Sequence, residues 1–266
     1  MSSSTVSTSL FSRIFSIARN TFREAIRDRV LYNLVIFVLL ITASAILLGE
    51  LTDGQEARTI VNIGLNAILL FGTFIAIFVG VGLVSKEIEK KTVYALFAKP
   101  VRRTEFIVGK FLGLCSTLLV NTAIMAAGVS LALLYVGGSE LIAPVWASTL
   151  LIFLELTITT AIAILFSSFS SPALSALLTF LVFLIGHLSA SLRDLGKTMQ
   201  SVIASGVLEG LYYVLPNLSL FSFRTEAAIG MVPTGTMIFG TIGYAIFYIV
   251  VVLAIASAVF ARRNFK

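Results

Sequence analysis

The chain has 266 residues, of which 58% are hydrophobic and only 12% are charged, and its formal net charge is +6. Soluble domains average about 25% charged residues, so this composition argues against a water-soluble protein and favours a membrane protein. A single Cys excludes an intrachain disulfide, and one Cys with one His leaves no ligand cluster of the kind that a zinc site needs.

The first 30 residues are predicted to form a cytoplasmic segment that stays in the mature protein, because the apolar run begins only at Val30 and continues as a full span. From Leu10 onwards, apolar residues recur at helical spacing while arginines face elsewhere. This pattern predicts an amphipathic helix in the inner headgroup layer, with its arginines near anionic lipid. A cytosolic helix packed on a partner is the alternative. The arginines of this helix are Arg13, Arg19, Arg23 and Arg27.

Six apolar runs are each long enough to cross a hydrocarbon layer roughly 30 Å thick, which takes about 20 helical residues. They lack the alternation that a β-barrel strand needs, and their many small residues predict closely packed helices. We therefore predict an all-α integral membrane protein, with six transmembrane helices in a domain that covers 31–266. The runs are 31–48, 60–84, 111–136, 142–166, 173–192 and 236–261.

The loop between the second and third runs, 85–110, opens with a cluster of charges and continues as an amphipathic stretch. Pro100 ends any helix there, and Arg102 and Arg103 precede the return to the membrane. A short helix on the cytoplasmic surface, with polar side chains and one apolar face, suits docking onto a soluble partner. A basic loop that only fixes the topology is the alternative.

Several polar side chains fall inside the predicted spans, where ionisable groups are costly and usually face the interior of a bundle. Glu155 and Thr159 share one helical face, as do Asn62 and Asn66. These residues are candidates for a substrate path or a gate, and hydrogen bonding between helices is the alternative. The candidate path residues are Asn62, Asn66, Asn121, Glu155, Thr159 and His187.

The segment between the fifth and sixth runs, 193–235, is too apolar for a simple loop, but Gly206, Glu209, Gly210 and Pro216 make it a poor seventh span. We predict an interfacial or re-entrant outer helix that caps the exit side.

Basic residues are divided unequally between the two sides of the predicted bundle. All but four of the 19 Lys and Arg fall in the N-terminus, the 85–110 loop and the C-terminus, the exceptions being Arg58, Arg193, Lys197 and Arg224. Since basic residues favour the cytoplasmic side, both termini are predicted to be cytoplasmic. The basic charge is thus an orientation signal, and no basic domain with stacking aromatics remains to bind nucleic acid.

The 85–110 loop also carries a spaced set of residues: Glu89, Thr92, Pro100, Arg102, Arg103, Gly109 and Lys110. This pattern resembles the permease subunits of type-2 ABC exporters. Lys91 departs from that pattern, because the family often has Gly there. The likeness extends to the N-terminal helix, the six spans and the 215–221 run, so it covers nearly the whole chain but says little about the substrate.

The resemblance implies a non-catalytic subunit whose 85–99 segment is a coupling helix, seated in a groove of a separate ATP-hydrolysing subunit, and whose first helix is the elbow helix. It also implies a second permease copy, as a homodimer or a pair of similar permeases. The residues expected at the coupling surface are Lys86, Glu87, Glu89, Lys90, Thr92, Tyr94, Leu96, Phe97 and Pro100.

No phosphate-binding loop is found in the sequence, since the nearest approach, 191–198, has Ser where the motif needs its first Gly. ATP and Mg are therefore expected on the partner subunit, with no cofactor on this chain. We expect a multi-pass permease of the bacterial inner membrane that exports its substrate. Two alternatives stay open: a proton-coupled secondary transporter that uses Glu155 and His187, and a membrane scaffold without transport.

Overall fold

The computed structural model of the protein describes residues 10–25, 36–37, 40–41, 43–44, 55–82, 103–189, 206, 210, 212 and 214–262. Every regular element within these ranges is helical, and no strand occurs among them. The α-helices are α1 Leu10–Ala25, α2 Glu56–Phe74, α3 Arg103–Tyr135, α4 Ile142–Ser167, α5 Pro172–His187, α6 Arg224–Ala228 and α7 Gly235–Arg262. A π-helical turn, Ile75–Val79, continues α2, and 3-10 turns cover Ser139–Leu141 and Leu218–Phe221.

Four helical stretches are long and apolar enough to cross a membrane, and they correspond to the second, third, fourth and sixth predicted runs. This agrees with the predicted all-helical membrane fold. The first predicted run lies mostly outside the described residues, so the count of six spans stays a prediction. The four stretches are Glu56–Gly82, Thr104–Tyr135, Ser139–Ser167 and Gly235–Ala261.

The fifth predicted run forms a shorter helix than expected. Helix α5 has 16 residues, so it is about 24 Å long and falls short of a hydrocarbon layer roughly 30 Å thick. A Cβ on Gly186 would lie 2.8 Å from the Pro216 carbonyl oxygen and from the Leu218 side chain. The 214–221 segment therefore packs directly against the end of α5, and its Leu218 and Phe221 side chains are fully buried.

Helix α4 lies at the centre of the bundle, because 72% of its most apolar stretch is buried, against 28% for α7. One apolar cluster joins α4 to α2 and α3, and it includes Leu65, Val129 and Leu156. A second cluster joins α4 to α3 and α7, and it includes Ile158 and Phe260. Because both clusters meet on α4, a polar group on this helix is surrounded by protein on several sides.

The connection between α3 and α4 is a tight turn at Gly137, where φ is +80°. A side chain would be strained in this left-handed conformation, whereas glycine adopts it readily. The turn brings α4 back beside α3, so the two long helices run antiparallel.

Candidate functional site

Glu155 and His187 meet between α4 and α5, where Glu155 Oε1 lies 3.0 Å from His187 Nε2. Glu155 is only 2% exposed, since α4 is packed on several sides. The hydroxyl of Thr159 donates to the main-chain oxygen of Glu155 rather than to its carboxyl group, at 3.0 Å. The contact between the ring nitrogen and the carboxyl oxygen is short, although the two groups do not meet in a linear hydrogen bond.

The other ring nitrogen of His187 determines what this pair can do. His187 Nδ1 lies 3.1 Å from the main-chain oxygen of Phe183, and a carbonyl oxygen can only accept, so Nδ1 carries a proton. Nε2 is therefore the ring nitrogen that can exchange a proton with the Glu155 carboxyl group.

A surface groove of about 640 Å³ lies between α2 and α5. Phe183 lines this groove and also packs against the His187 ring, with 4.5 Å between the ring centres. The Glu155–His187 pair therefore lies next to the groove, behind Phe183. Asn66 and Thr73 are the polar residues of the lining, and the buried Thr73 hydroxyl has no hydrogen-bond partner within the described part of the chain. The principal apolar lining residues are Leu70, Phe74, Phe78, Leu177 and Phe180.

The remaining predicted path residues lie apart from the ion pair. Asn62 and Asn66 are on an exposed face of α2, where Asn66 Nδ2 donates to the Asn62 main-chain oxygen at 2.8 Å. Asn121 is buried in α3, and neither atom of its amide group has a hydrogen-bond partner in the ranges that the structure covers. No hydrogen bond among these described residues joins Asn62, Asn66 or Asn121 to Glu155 or His187. The structure therefore brings the Glu155 and His187 side chains together, and within the described ranges the three asparagines make no hydrogen bond to them.

Helix α1 is fastened to the beginning of α3. Arg13 Nη1 lies 3.7 Å from Glu105 Oε2, and Lys110 Nζ lies 3.6 Å from Glu24 Oε2. Glu105 and Lys110 are both buried, whereas Arg13 and Glu24 are 28% and 42% exposed, so each contact pairs a buried charge with a partly exposed one. Since both charges are neutralised by α1, α3 can begin at Arg103, well before the apolar run at 111–136.

Two glycines bring the backbones of α1 and α3 close together. A Cβ on Gly113 would lie 2.6 Å from the Ala18 carbonyl oxygen, and a Cβ on Gly109 would lie 2.7 Å from the Ile17 side chain. This is the close approach that a pair of glycines four residues apart permits between membrane helices. The spacing of Gly109 and Gly113 is visible in the sequence, but only the structure identifies α1 as the helix that packs there.

The predicted interfacial arginines have different environments. Arg13 is partly buried against Glu105, whereas Arg19 and Arg23 are exposed. Arg27 lies outside the described residues, as do all nine residues predicted for the coupling surface, Lys86, Glu87, Glu89, Lys90, Thr92, Tyr94, Leu96, Phe97 and Pro100. Their roles stay predictions.

A hydrogen-bonded cluster that the sequence analysis did not identify holds the chain after α5. Asn217 Oδ1 accepts from the Ser189 and Ser219 hydroxyls, each at 2.6 Å, and the Asn217 N–H donates to the Tyr244 oxygen at 2.8 Å. The Tyr248 hydroxyl donates to the Val214 main-chain oxygen at 3.3 Å. These bonds join the end of α5 and the 214–221 region to α7.

Within the described ranges, no group of three or more His, Cys, Asp or Glu side chains is placed to hold a metal ion. The family described as ABC-2 family transporter protein has a model that matches residues 15–265. The match includes α1 from residue 15 onwards, the helices α2 to α7, the Glu155–His187 pair and the groove. A comparison with curated proteins finds no match.

Proposed function

Since this chain belongs to the ABC-2 transporter family and is a membrane permease component of an ABC transporter system, we propose that it exports its substrate while a separate subunit hydrolyses ATP. The observation that carries this proposal is the extent of the family match, 15–265, which includes most of α1 as well as the apolar bundle. On this proposal, ATP and Mg bind to the partner subunit. The chain crosses a bacterial inner membrane with both termini in the cytoplasm.

The α1–α3 contact supports a mechanical route from the ATPase to the bundle. Residues 86–100 directly precede α3, whose first turns are fastened to α1 by Glu105, Lys110, Gly109 and Gly113. A displacement of the 86–100 segment when the ATPase closes would move α3 and α1 together. Because α3 also packs on α4, the movement would reach the centre of the bundle.

The groove between α2 and α5 supports a second permease copy as the other half of the transport path. Its walls expose large apolar side chains, with Phe78 60% and Leu177 54% exposed. Asn66 and Thr73 add polar groups to this surface. Two copies that face each other across it would enclose a mainly apolar path with a few polar positions.

Affinity purification of the tagged chain from its native membrane tests the ATPase partnership. The coupling variant combines Glu89→Ala, Tyr94→Ala and Leu96→Ala, and the matched control combines Glu140→Ala, Tyr135→Ala and Leu134→Ala, three exposed residues at the other end of α3. Mass spectrometry is expected to find an ABC ATPase with the wild type and the control, and about tenfold less with the coupling variant. Absence of an ATPase even after crosslinking would contradict the proposal.

The contact between Glu155 and His187 favours one other function, proton-coupled secondary transport. A buried carboxyl group in contact with an imidazole nitrogen is the kind of pair that a proton pathway requires. The test is proton flux into liposomes that contain the chain alone, under an imposed pH gradient and without ATP. A flux that Glu155→Gln removes would support this second function, whereas equal leakage of wild type and variant would exclude it.

A further inference from the structure

A second groove, of about 660 Å³, lies between α1 and α3, and Phe153 of α4 also lines it. Its lining includes Phe15 and Phe22 of α1, Leu112, Leu119 and Val120 of α3, and Arg19 at the α1 side. The lining is therefore apolar along its length, with a positive charge at one place. From Leu112 to Val120 the groove follows α3 for about 12 Å.

The walls of this groove are held in place by the rest of the structure. The neighbouring face of α1 packs on Gly109 and Gly113, and the Arg13–Glu105 and Glu24–Lys110 contacts fix its position along α3. The groove is nevertheless open to the outside of the bundle, since Phe15 is 69% exposed and Leu119 51% exposed. In a membrane, such a surface is covered by apolar chains rather than by water.

The charges at the α1 side make the groove suitable for an anionic amphiphile. Arg23 is one helical turn after Arg19 on the same face of α1, and both are exposed. Neither guanidinium group forms an ion pair within the residues that the structure describes, whereas Arg13, on the other face, contacts Glu105. Arginine binds phosphate oxygens well because its planar group can donate two parallel hydrogen bonds.

We propose that this groove binds an anionic phospholipid of the inner leaflet, with one acyl chain along α3 and its phosphate at Arg19 and Arg23. The positions of the lining residues fit this orientation. Arg19 lies on α1, which is predicted to lie at the membrane interface, and α3 runs from Leu112 to Val120 into the apolar bundle. The bound lipid fills the open side of the α1–α3 contact. This site does not depend on the direction of transport or on the identity of the ATPase.

Native mass spectrometry of the full-length chain tests the site, with phosphatidylglycerol and phosphatidylcholine added at equal concentration. We expect the wild type to retain more phosphatidylglycerol, by about fivefold for each arginine that contacts the headgroup. The double variant Arg19→Gln/Arg23→Gln is expected to lose this preference, and Ser116→Phe, which fills the groove, to reduce the binding of both lipids. Arg58→Gln and Leu131→Phe, two exposed positions outside the groove, serve as controls.

Cys115 provides a second measurement on the unmodified sequence. It is the only Cys of the chain, and it lines the groove. Phosphatidylglycerol is expected to slow the alkylation of Cys115 by a membrane-permeant maleimide, while phosphatidylcholine has a smaller effect. Inorganic phosphate alone is expected to have none. Equal retention of the two lipids, or Cys115 protection that Ser116→Phe leaves unchanged, would overturn the proposal.

Discussion

Glu155 Oε1 on α4 lies 3.0 Å from His187 Nε2 at the end of α5. Within the described ranges, Glu155 is the only ionisable residue of α4, and His187 is the only ionisable residue of α5. Helix α4 runs towards the turn at 168–171, and α5 returns from it. Glu155 is 12 residues before the end of α4, and His187 is 15 residues after the start of α5, so both lie about 20 Å from that turn. The antiparallel pairing of two helices thus brings together groups that are 32 positions apart in the sequence.

Removing one member of this pair is expected to destabilise the protein more than removing both. Glu155→Leu or His187→Leu alone leaves a polar group without its partner, which costs about 3 kcal/mol in a buried site. The double variant leaves no such group, so its loss should be smaller than that of either single variant and well below the sum of the two. The measurement is the free energy of unfolding in mixed micelles.

Thr160→Val is the control for that cycle. Thr160 is buried on the same helix, but its hydroxyl donates to the main-chain oxygen of Leu156, at 2.8 Å. Within the described residues it makes no hydrogen bond to Glu155 or His187. Its replacement is expected to cost less than about 1 kcal/mol. Strictly additive losses for Glu155→Leu and His187→Leu would mean that the two side chains do not interact.

Gly113→Ala is expected to weaken the contact between α1 and α3. The new Cβ would lie 2.6 Å from the Ala18 carbonyl oxygen and 2.6 Å from Thr21 Cβ, and backbone atoms cannot rotate away. Overpacking of this kind costs about 1–3 kcal/mol. Thermal unfolding of the purified chain measures the loss, and protease cleavage within 10–25 should become faster as α1 separates.

Gly128→Ala is the matched control on the same helix. A Cβ there would lie 3.8 Å from its nearest neighbour, Phe37 Cε1, which is an ordinary van der Waals distance. Since alanine favours helix by about 0.5–1 kcal/mol over glycine, this variant should be as stable as the wild type or more stable. Similar losses for Gly113→Ala and Gly128→Ala would show that the α1–α3 approach is not the cause.

Much of the helical framework could be predicted from the sequence, because apolar runs of membrane length report local composition. Glu155 and His187 could each be identified as polar residues in such runs. Their contact could not, since it depends on how α4 and α5 are aligned. Helix α3 also begins eight residues before the apolar run predicted at 111–136. Glu105 and Lys110 interrupt the apolar pattern there, and their burial is explained only by their contacts with Arg13 and Glu24.

Asn121→Leu separates a structural role from a functional one. The buried amide of Asn121 has no hydrogen-bond partner among the described residues, so its burial costs about 1–3 kcal/mol. A leucine of similar volume removes that cost, and the variant is expected to unfold at a higher temperature. If Asn121 also belongs to the transport path, ATPase activity stimulated by transport should fall in the same variant. A lower unfolding temperature would show that the amide group stabilises the fold.

Tyr244→Phe is expected to loosen the chain that returns after α5. The Tyr244 oxygen accepts from the Asn217 N–H at 2.8 Å, and its removal leaves a partly buried donor without a partner, at a cost of about 1–3 kcal/mol. Tyr248→Phe is the comparison, because its hydroxyl makes a longer, exposed bond of 3.3 Å to Val214, and we expect it to cost less than about 0.5 kcal/mol. Hydrogen exchange measured by mass spectrometry should show faster exchange in 214–221 for Tyr244→Phe alone. Equal exchange in the two variants would mean that the bond from Asn217 to Tyr244 does not hold this region against α7.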